Sequence, residues 1–103
     1  MGDLRRLSKD SYDISSYGMT FTFEYVQQDN GTIHIYILRQ PSYKPGQETG
    51  GHETHRYGLG DGRPYICFDP MPRSLSSAKA ISAEWAKRTA YYIRYGKWFN
   101  TSS

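Results

Sequence analysis

Two neighbouring stretches of the chain alternate regularly between apolar and polar side chains. In residues 20–28 the aromatic residues Phe21, Phe23 and Tyr25 occupy every second position, and in residues 32–39 isoleucine does the same. This alternation is typical of a strand with one buried face. The intervening residues are Asp-Asn-Gly, which tolerate the positive φ of a tight turn. The pattern therefore predicts a β-hairpin with strands at about 20–28 and 32–39.

Two shorter segments with strand character follow a long polar stretch. Residues 40–53 are rich in proline, glycine and polar side chains, which predicts a mobile surface loop. Residues 54–57 (THRY) and 64–68 (PYICF) alternate over a few positions each and are expected to be short strands. The glycine-rich residues 58–62 would join them as a hairpin.

The last third of the chain changes to a helical period. Ser74 is suited to cap a first turn, since its hydroxyl can accept a hydrogen bond from a free backbone N–H. Gly96 is suited to end the last turn, where Trp98 or Phe99 could fold back onto the helix. This predicts an α-helix over residues 75–95. Its apolar side would consist of Leu75, Ala78, Ile81, Ser82, Trp85, Ala86, Thr89, Tyr92 and Ile93.

Together these elements predict an α+β fold, a four-stranded antiparallel β-meander with one long C-terminal helix packed on one face. A chain of 103 residues is suited to one domain. Residues 1–19 show no sustained period and are interpreted as a partly ordered N-terminal arm, so the domain itself would span residues 20–103. The predicted core is Phe21, Phe23, Ile33, Ile35, Ile37, Ile66, Phe68, Leu75, Ala78, Ile81, Trp85 and Ile93.

The cysteine content and the apolar runs indicate the cellular location of the protein. Cys67 is the single cysteine, which excludes an internal disulfide and favours a reducing compartment. The first residues lack the apolar segment of a secretory signal. The longest apolar run, residues 35–38, is far too short to span a bilayer. We therefore predict a cytoplasmic protein with no membrane association.

Catalytic or metal chemistry would most naturally be sought around two histidines and the cysteine. His52 and His55 form an H-x-x-H pair, but a zinc site needs three or four ligands and no Cys-x-x-Cys pair accompanies them. Zinc binding through His52 and His55 is therefore a minor alternative. Cys67 lies within Tyr-Ile-Cys-Phe, a context typical of an inert buried thiol. We expect no enzymatic activity, no cofactor and no bound metal.

Aromatic and basic residues indicate a binding protein instead. The chain is 16% aromatic with ten tyrosines and carries a formal net charge of +3. A core of this size cannot bury ten tyrosines, so several should be exposed. Exposed tyrosines are well suited to binding interfaces, because each combines an apolar ring with a polar hydroxyl. Residues 74–103 contain five basic side chains and one acidic side chain. The candidate contact residues are Lys79, Lys87, Tyr91, Arg94 and Lys97 on the helix, and Arg56, Tyr57, Arg63 and Tyr65 around the second hairpin.

Two classes of partner fit these residues. We favour a protein–protein interaction module or inhibitor, because Tyr and Arg are common interface anchors; its small size would suit an accessory protein of a phage or mobile element. The alternative is a nucleic-acid-binding domain, in which basic residues attract phosphates and aromatic rings stack on bases. In outline the predicted sheet and helix resemble the three-stranded-sheet-and-helix domains of phage and transposon integrases and, more distantly, double-stranded-RNA-binding domains. An edge strand such as 20–27 could also pair with a second copy in a homodimer.

Overall fold

A computed structural model describes residues 5–96 as a five-stranded antiparallel sheet with one long helix packed across it. The α+β class and the long C-terminal helix predicted from the sequence are confirmed. The elements in chain order are strands β1 (Arg5–Ile14), β2 (Met19–Gln27) and β3 (Ile33–Arg39), the single-turn helix α1 (Gly51–Thr54), strands β4 (Arg56–Tyr57) and β5 (Tyr65–Ile66), and helix α2 (Leu75–Tyr95).

The fifth strand comes from the segment that was predicted to be an arm. β1 pairs antiparallel with β2, and Tyr12 lies opposite Phe21. The sequence of β1, RRLSKDSYDI, has few apolar residues because the strand lies at the sheet edge and covers only the margin of the core. Its two apolar residues near the end, Tyr12 and Ile14, do pack against the core. A bulge at Leu7 also shifts the register and hides the alternation.

The strand order is β1-β2-β3-β5-β4, so the predicted simple meander is wrong. β3 pairs with β5, and β4 lies outside it at the far edge. The predicted edge strand, residues 20–27, is internal because β2 pairs with β1 on one side and β3 on the other. A homodimer through an edge strand would therefore have to use β1 or β4.

The second hairpin is present but shorter than the sequence indicated. β4 and β5 pair antiparallel with two residues each, against predicted strands of 54–57 and 64–68. Thr54 ends α1, and His55 adopts a left-handed conformation with φ 55° before β4 begins. The connecting loop contains a single 3-10 turn at Leu59–Asp61.

Helix α2 has the predicted bounds and the predicted caps. The Ser74 hydroxyl accepts a hydrogen bond from the Ser77 backbone N–H, and Gly96 ends the helix at φ 83°. The Gly96 N–H donates to the Tyr92 carbonyl, which satisfies one of the last free acceptors. The predicted contact of Trp98 or Phe99 lies outside the described residues.

The core lies between α2 and the inward side of β2, β3 and β5. The rings of Phe21 and Phe23 both meet the Trp85 indole edge to face at 6.0 Å. The Trp85 Nε1–H donates to the Thr54 carbonyl, which ties α2 to the end of α1. Most of the predicted core is buried, Leu75 and Ile81 partly so. Phe68 is the exception: it lies beyond β5 and is 44% exposed.

Within residues 5–96, no helix combines the length and apolar character needed to cross a bilayer.

Candidate binding surface on the open sheet face

The face of the sheet opposite α2 carries a row of tyrosines that crosses three strands. Tyr36 of β3 lies opposite Tyr65 of β5, which in turn lies opposite Tyr57 of β4. Side chains alternate along a strand, and Ile35, Ile37 and Ile66 are buried under α2. Their neighbours Tyr36 and Tyr65 must therefore project to the opposite face. We call His34, Tyr36, Tyr57, Arg63 and Tyr65 the open-face cluster.

The cluster is held together by direct contacts between its side chains. The rings of His34 and Tyr65 stack nearly parallel, with centroids 4.0 Å apart and an interplanar angle of 10°. The Tyr65 ring also contacts the rings of Tyr36 at 5.6 Å and Tyr57 at 5.5 Å. The Arg63 guanidinium carbon lies 4.0 Å from the centre of the Tyr36 ring. Aromatic pairs contribute about 0.5–1.5 kcal/mol each beyond area burial, so these contacts fix the arrangement before any partner arrives.

The surroundings of His34, Tyr57 and Tyr65 shift the pKa of each side chain in the direction that favours its neutral form. Partial burial lowers the pKa of His34, and the positive charge of Arg63 lowers it further. Burial raises the pKa of Tyr65, and the neighbouring Tyr36 adds to this effect. The side-chain hydrogen bond to Cys67 is the main cause of the raised pKa of Tyr57. These three side chains therefore add no charge to the guanidinium of Arg63 near pH 7.

Charges of both signs lie on the same face next to the cluster. Glu24 of β2 lies opposite Tyr36 and forms an ion pair with Arg6, with Nε and Oε2 2.8 Å apart. Lys9 of β1 lies opposite Glu24 on its other side. The open face therefore combines tyrosine hydroxyls with mixed charges and is not uniformly basic.

The structure brings together three of the four predicted hairpin residues. Tyr57, Arg63 and Tyr65 belong to the open-face cluster, whereas Arg56 does not. Arg56 lies opposite Ile66, whose side chain is buried under α2, so the alternation of β4 sends Arg56 away from the cluster. A two-residue strand offers no repeat from which this direction could have been predicted.

Sequence reasoning did not single out His34 and Tyr36, which the structure places in the open-face cluster. The signal was present, because the prediction that Ile33, Ile35 and Ile37 point inward requires their neighbours to point outward. What the sequence did not contain was the pairing of β3 with β5, which places Tyr65 beside both side chains.

The predicted basic side of α2 is partly engaged within the molecule. The Lys79 ammonium lies 3.0 Å from the Asp10 carboxylate on β1. The Arg94 guanidinium lies 5.6 Å from the Tyr17 ring centre. Lys87 and Tyr91 line a small cavity of about 280 Å³ together with Tyr17. The predicted contact residue Lys97 lies outside the described residues.

His55 and Cys67 line one cavity of about 320 Å³ between α2 and the second hairpin, with Trp85 in its wall. Burial lowers the pKa of His55, and the nearby His52 contributes. Among residues 5–96, no three His, Cys, Asp or Glu side chains come together as a group that could hold a metal ion. The zinc alternative therefore gains no third ligand from this part of the chain.

No family model, curated protein or solved structure matches the chain in the comparisons with known proteins.

Proposed function

We propose that this protein is a non-enzymatic binding module that recognises a protein partner through the open-face cluster. The observation that carries the proposal is the preformed group of three tyrosines, one histidine and one arginine on the sheet face opposite α2. Tyr and Arg are enriched among the residues that dominate binding energy at protein interfaces. Because neighbouring rings already hold these side chains in place, the cluster would lose little side-chain entropy when a partner binds.

The contacts inside the cluster also favour a protein over nucleic acid at this face. Base stacking needs free ring faces. His34 and Tyr65 use one face each on one another, and Arg63 covers one face of Tyr36. These contacts occupy ring faces on which bases could otherwise stack, and the exposed groups of the cluster include the Tyr57 side chain, which is 46% exposed. Such groups suit the hydrogen-bonding and apolar contacts of a protein interface, and the mixed charges around them suit a surface that is itself mixed.

Nucleic acid remains the second candidate, and it is favoured by a different surface. Lys87 and Arg94 lie exposed on α2 near the Tyr91 and Tyr95 rings, whose centroids are 4.7 Å apart. Basic side chains interleaved with aromatic rings are the pattern expected of a single-strand or RNA contact. The two candidate functions thus depend on opposite sides of the molecule.

One pair of variants separates the two functions. Tyr57→Ala/Arg63→Ala alters the open face, and Arg94→Ala/Tyr95→Ala removes the same two residue types from α2. Immobilised wild-type protein would be used to capture partners from a lysate of the source organism, and each captured protein would be purified and measured by calorimetry. Labelled single-stranded DNA, duplex DNA and RNA would be tested in parallel by fluorescence polarisation at low salt.

We expect a purified partner to lose binding to Tyr57→Ala/Arg63→Ala and to bind the α2 variant like the wild type. Circular dichroism would establish that both variants remain folded. Nucleic-acid binding that weakens with salt and disappears only in the α2 variant would replace the proposal by the second candidate. A partner that binds both variants equally well would refute the role of the cluster.

A further inference from the structure

A second surface feature is a cavity of about 570 Å³ at the end of β3, lined by two arginines. It lies between the chain that leaves β3 and strand β4. None of its lining residues is acidic, and all of them belong to the described part of the chain. We call it the arginine cavity; its polar lining residues are Arg39, Gln40, Ser42, Tyr43, Thr49 and Arg56.

Arg56 is held in the wall of the cavity by hydrogen bonds, and no carboxylate of residues 5–96 forms an ion pair with it. Its Nε–H donates to the Thr54 hydroxyl at 2.8 Å, and its two terminal nitrogens donate to the Gln40 side-chain oxygen at 3.3 Å and the Thr49 carbonyl at 2.9 Å. Its guanidinium also lies 5.1 Å from the centre of the Tyr43 ring. All of these partners are neutral. A guanidinium has five N–H donors, so two are left for a ligand after these three bonds.

An oriented, half-buried cation with neutral neighbours is suited to bind an anion. Partial burial removes some hydration from the guanidinium, and no opposite charge in the cavity lining replaces it. Arg39 adds a second positive charge from the exposed rim. The lining thus combines two arginine side chains with neutral polar side chains and no carboxylate.

We propose that the arginine cavity binds a phosphate dianion, either as free phosphate or as a phosphate monoester. Two guanidinium groups match the charge of about −1.5 to −2 that a phosphomonoester carries at pH 7, whereas a carboxylate would neutralise only one of them. Arginine is also the side chain best suited to two-point contacts with phosphate oxygens. The cavity is larger than a phosphate group, and Ile37, Leu38 and Pro64 give it an apolar wall for the remainder of a monoester. This site does not depend on the proposed protein partner.

The test uses three small probes on the full chain: inorganic phosphate, phenyl phosphate and benzoate. Binding would be followed at pH 7.5 by changes in backbone amide NMR shifts. We expect saturable binding of phosphate or phenyl phosphate, with the largest shifts at residues 37–40, 42, 43, 49 and 56. Tighter binding of phenyl phosphate identifies a monoester site, and equal binding identifies a site for the phosphate group alone. Benzoate should bind at least about tenfold more weakly, since its single negative charge can form one fewer charge-assisted contact with the two guanidinium groups.

Arg39→Gln is the main variant, because Arg39 lies exposed and its loss should leave the fold intact. We expect it to weaken phosphate binding about tenfold or more. The control Arg94→Gln removes the same charge from α2 and should leave the affinity unchanged. Binding should also weaken below about pH 6, where a phosphate monoester takes up its second proton. A second control, Tyr57→Ala/Arg63→Ala, should bind the probes with wild-type affinity. Failure of the phosphate-site proposal is therefore distinguishable from failure of the open-face proposal.

Three results would overturn the proposal. One is benzoate binding as tightly as phenyl phosphate. The second is an equal loss of affinity in Arg39→Gln and Arg94→Gln, which would indicate a general charge effect. The third is the absence of saturable phosphate binding by the folded wild-type protein.

Discussion

The buried hydrogen bond between the sheet and α2 allows a quantitative test of how the core is built. The hydroxyls of Tyr25 and Ser82 are 2.6 Å apart, and the two residues are only 2% and 3% exposed. The Ser82 hydroxyl itself donates to the Lys79 carbonyl at 2.9 Å. Its proton is therefore already used, so the Tyr25 hydroxyl must be the donor in the bond between them.

This direction makes the two single substitutions unequal. Tyr25→Phe removes the donor and leaves the Ser82 hydroxyl bonded to the Lys79 carbonyl, so it should lower the free energy of unfolding by about 1 kcal/mol. Ser82→Ala leaves a buried tyrosine hydroxyl without an acceptor, which costs about 2–3 kcal/mol. The better helix propensity of alanine offsets about 0.5 kcal/mol of that loss. We therefore expect Ser82→Ala to cost more than Tyr25→Phe.

The double variant tests the explanation itself. Once both hydroxyls are absent, no unpartnered group remains, so the double variant should be about 1 kcal/mol more stable than the sum of the two single effects predicts. Urea unfolding followed by circular dichroism at constant pH measures all four free energies, and Tyr12→Phe at a half-buried position serves as the tyrosine control. Strictly additive effects, or a larger cost for Tyr25→Phe than for Ser82→Ala, would refute the assigned direction of the bond.

Three further predictions concern the second hairpin, the open face and the contact between β1 and α2. Gly58→Ala should lower the free energy of unfolding by at least about 1 kcal/mol, because Gly58 has φ +76° and a Cβ there would lie 2.5 Å from the Arg63 carbonyl oxygen. Gly60→Ala has open space around the new Cβ and should be nearly neutral; thermal unfolding measures both variants. NMR titration should give His34 a pKa below 6.5 that rises in Arg63→Gln but does not return fully, because burial is the larger cause. The folded state resists protonation of His34 more than the unfolded chain does, so the contribution of His34 to stability should be lost as the pH falls below 6.5. If Arg63→Gln left the pKa of His34 unchanged, that result would contradict the contact assigned between the two side chains. Asp10→Asn removes an exposed ion pair to α2 and should cost less than about 1 kcal/mol, with the difference from wild type shrinking at high salt.

The local elements were largely predictable because each has a strong local cause. α2 begins and ends as expected because Ser74 and Gly96 supply its caps. The inward faces of β2 and β3 were predictable since a strand side chain has only two directions. β1 was missed because an edge strand needs little apolar surface, and its polar residues mask a pattern interrupted by the bulge at Leu7.

The two candidate sites differ in how much of them the sequence contained. The sequence showed Tyr57, Arg63 and Tyr65 as neighbours in one hairpin. In the structure the Tyr57 and Tyr65 rings are in contact, and Arg63 lies over the ring of Tyr36. The sequence did not indicate which groups surround the Arg56 guanidinium. Its hydrogen-bond partners Gln40 and Thr49 come from the long loop that was predicted to be mobile. Contacts made across such a loop leave no periodic trace in the chain.

The sequence by itself thus determined the α+β class, the long capped helix and the buried faces of two strands, because caps and periodicity act over a few residues. Only the tertiary structure decided the position of β5 between β3 and β4, the set of side chains in contact on the open face, and the arginines that line the arginine cavity. The physical reason is that strand order and register depend on hydrogen bonds between distant segments. For this protein those distant pairings placed the aromatic row and separated Arg56 from Arg63.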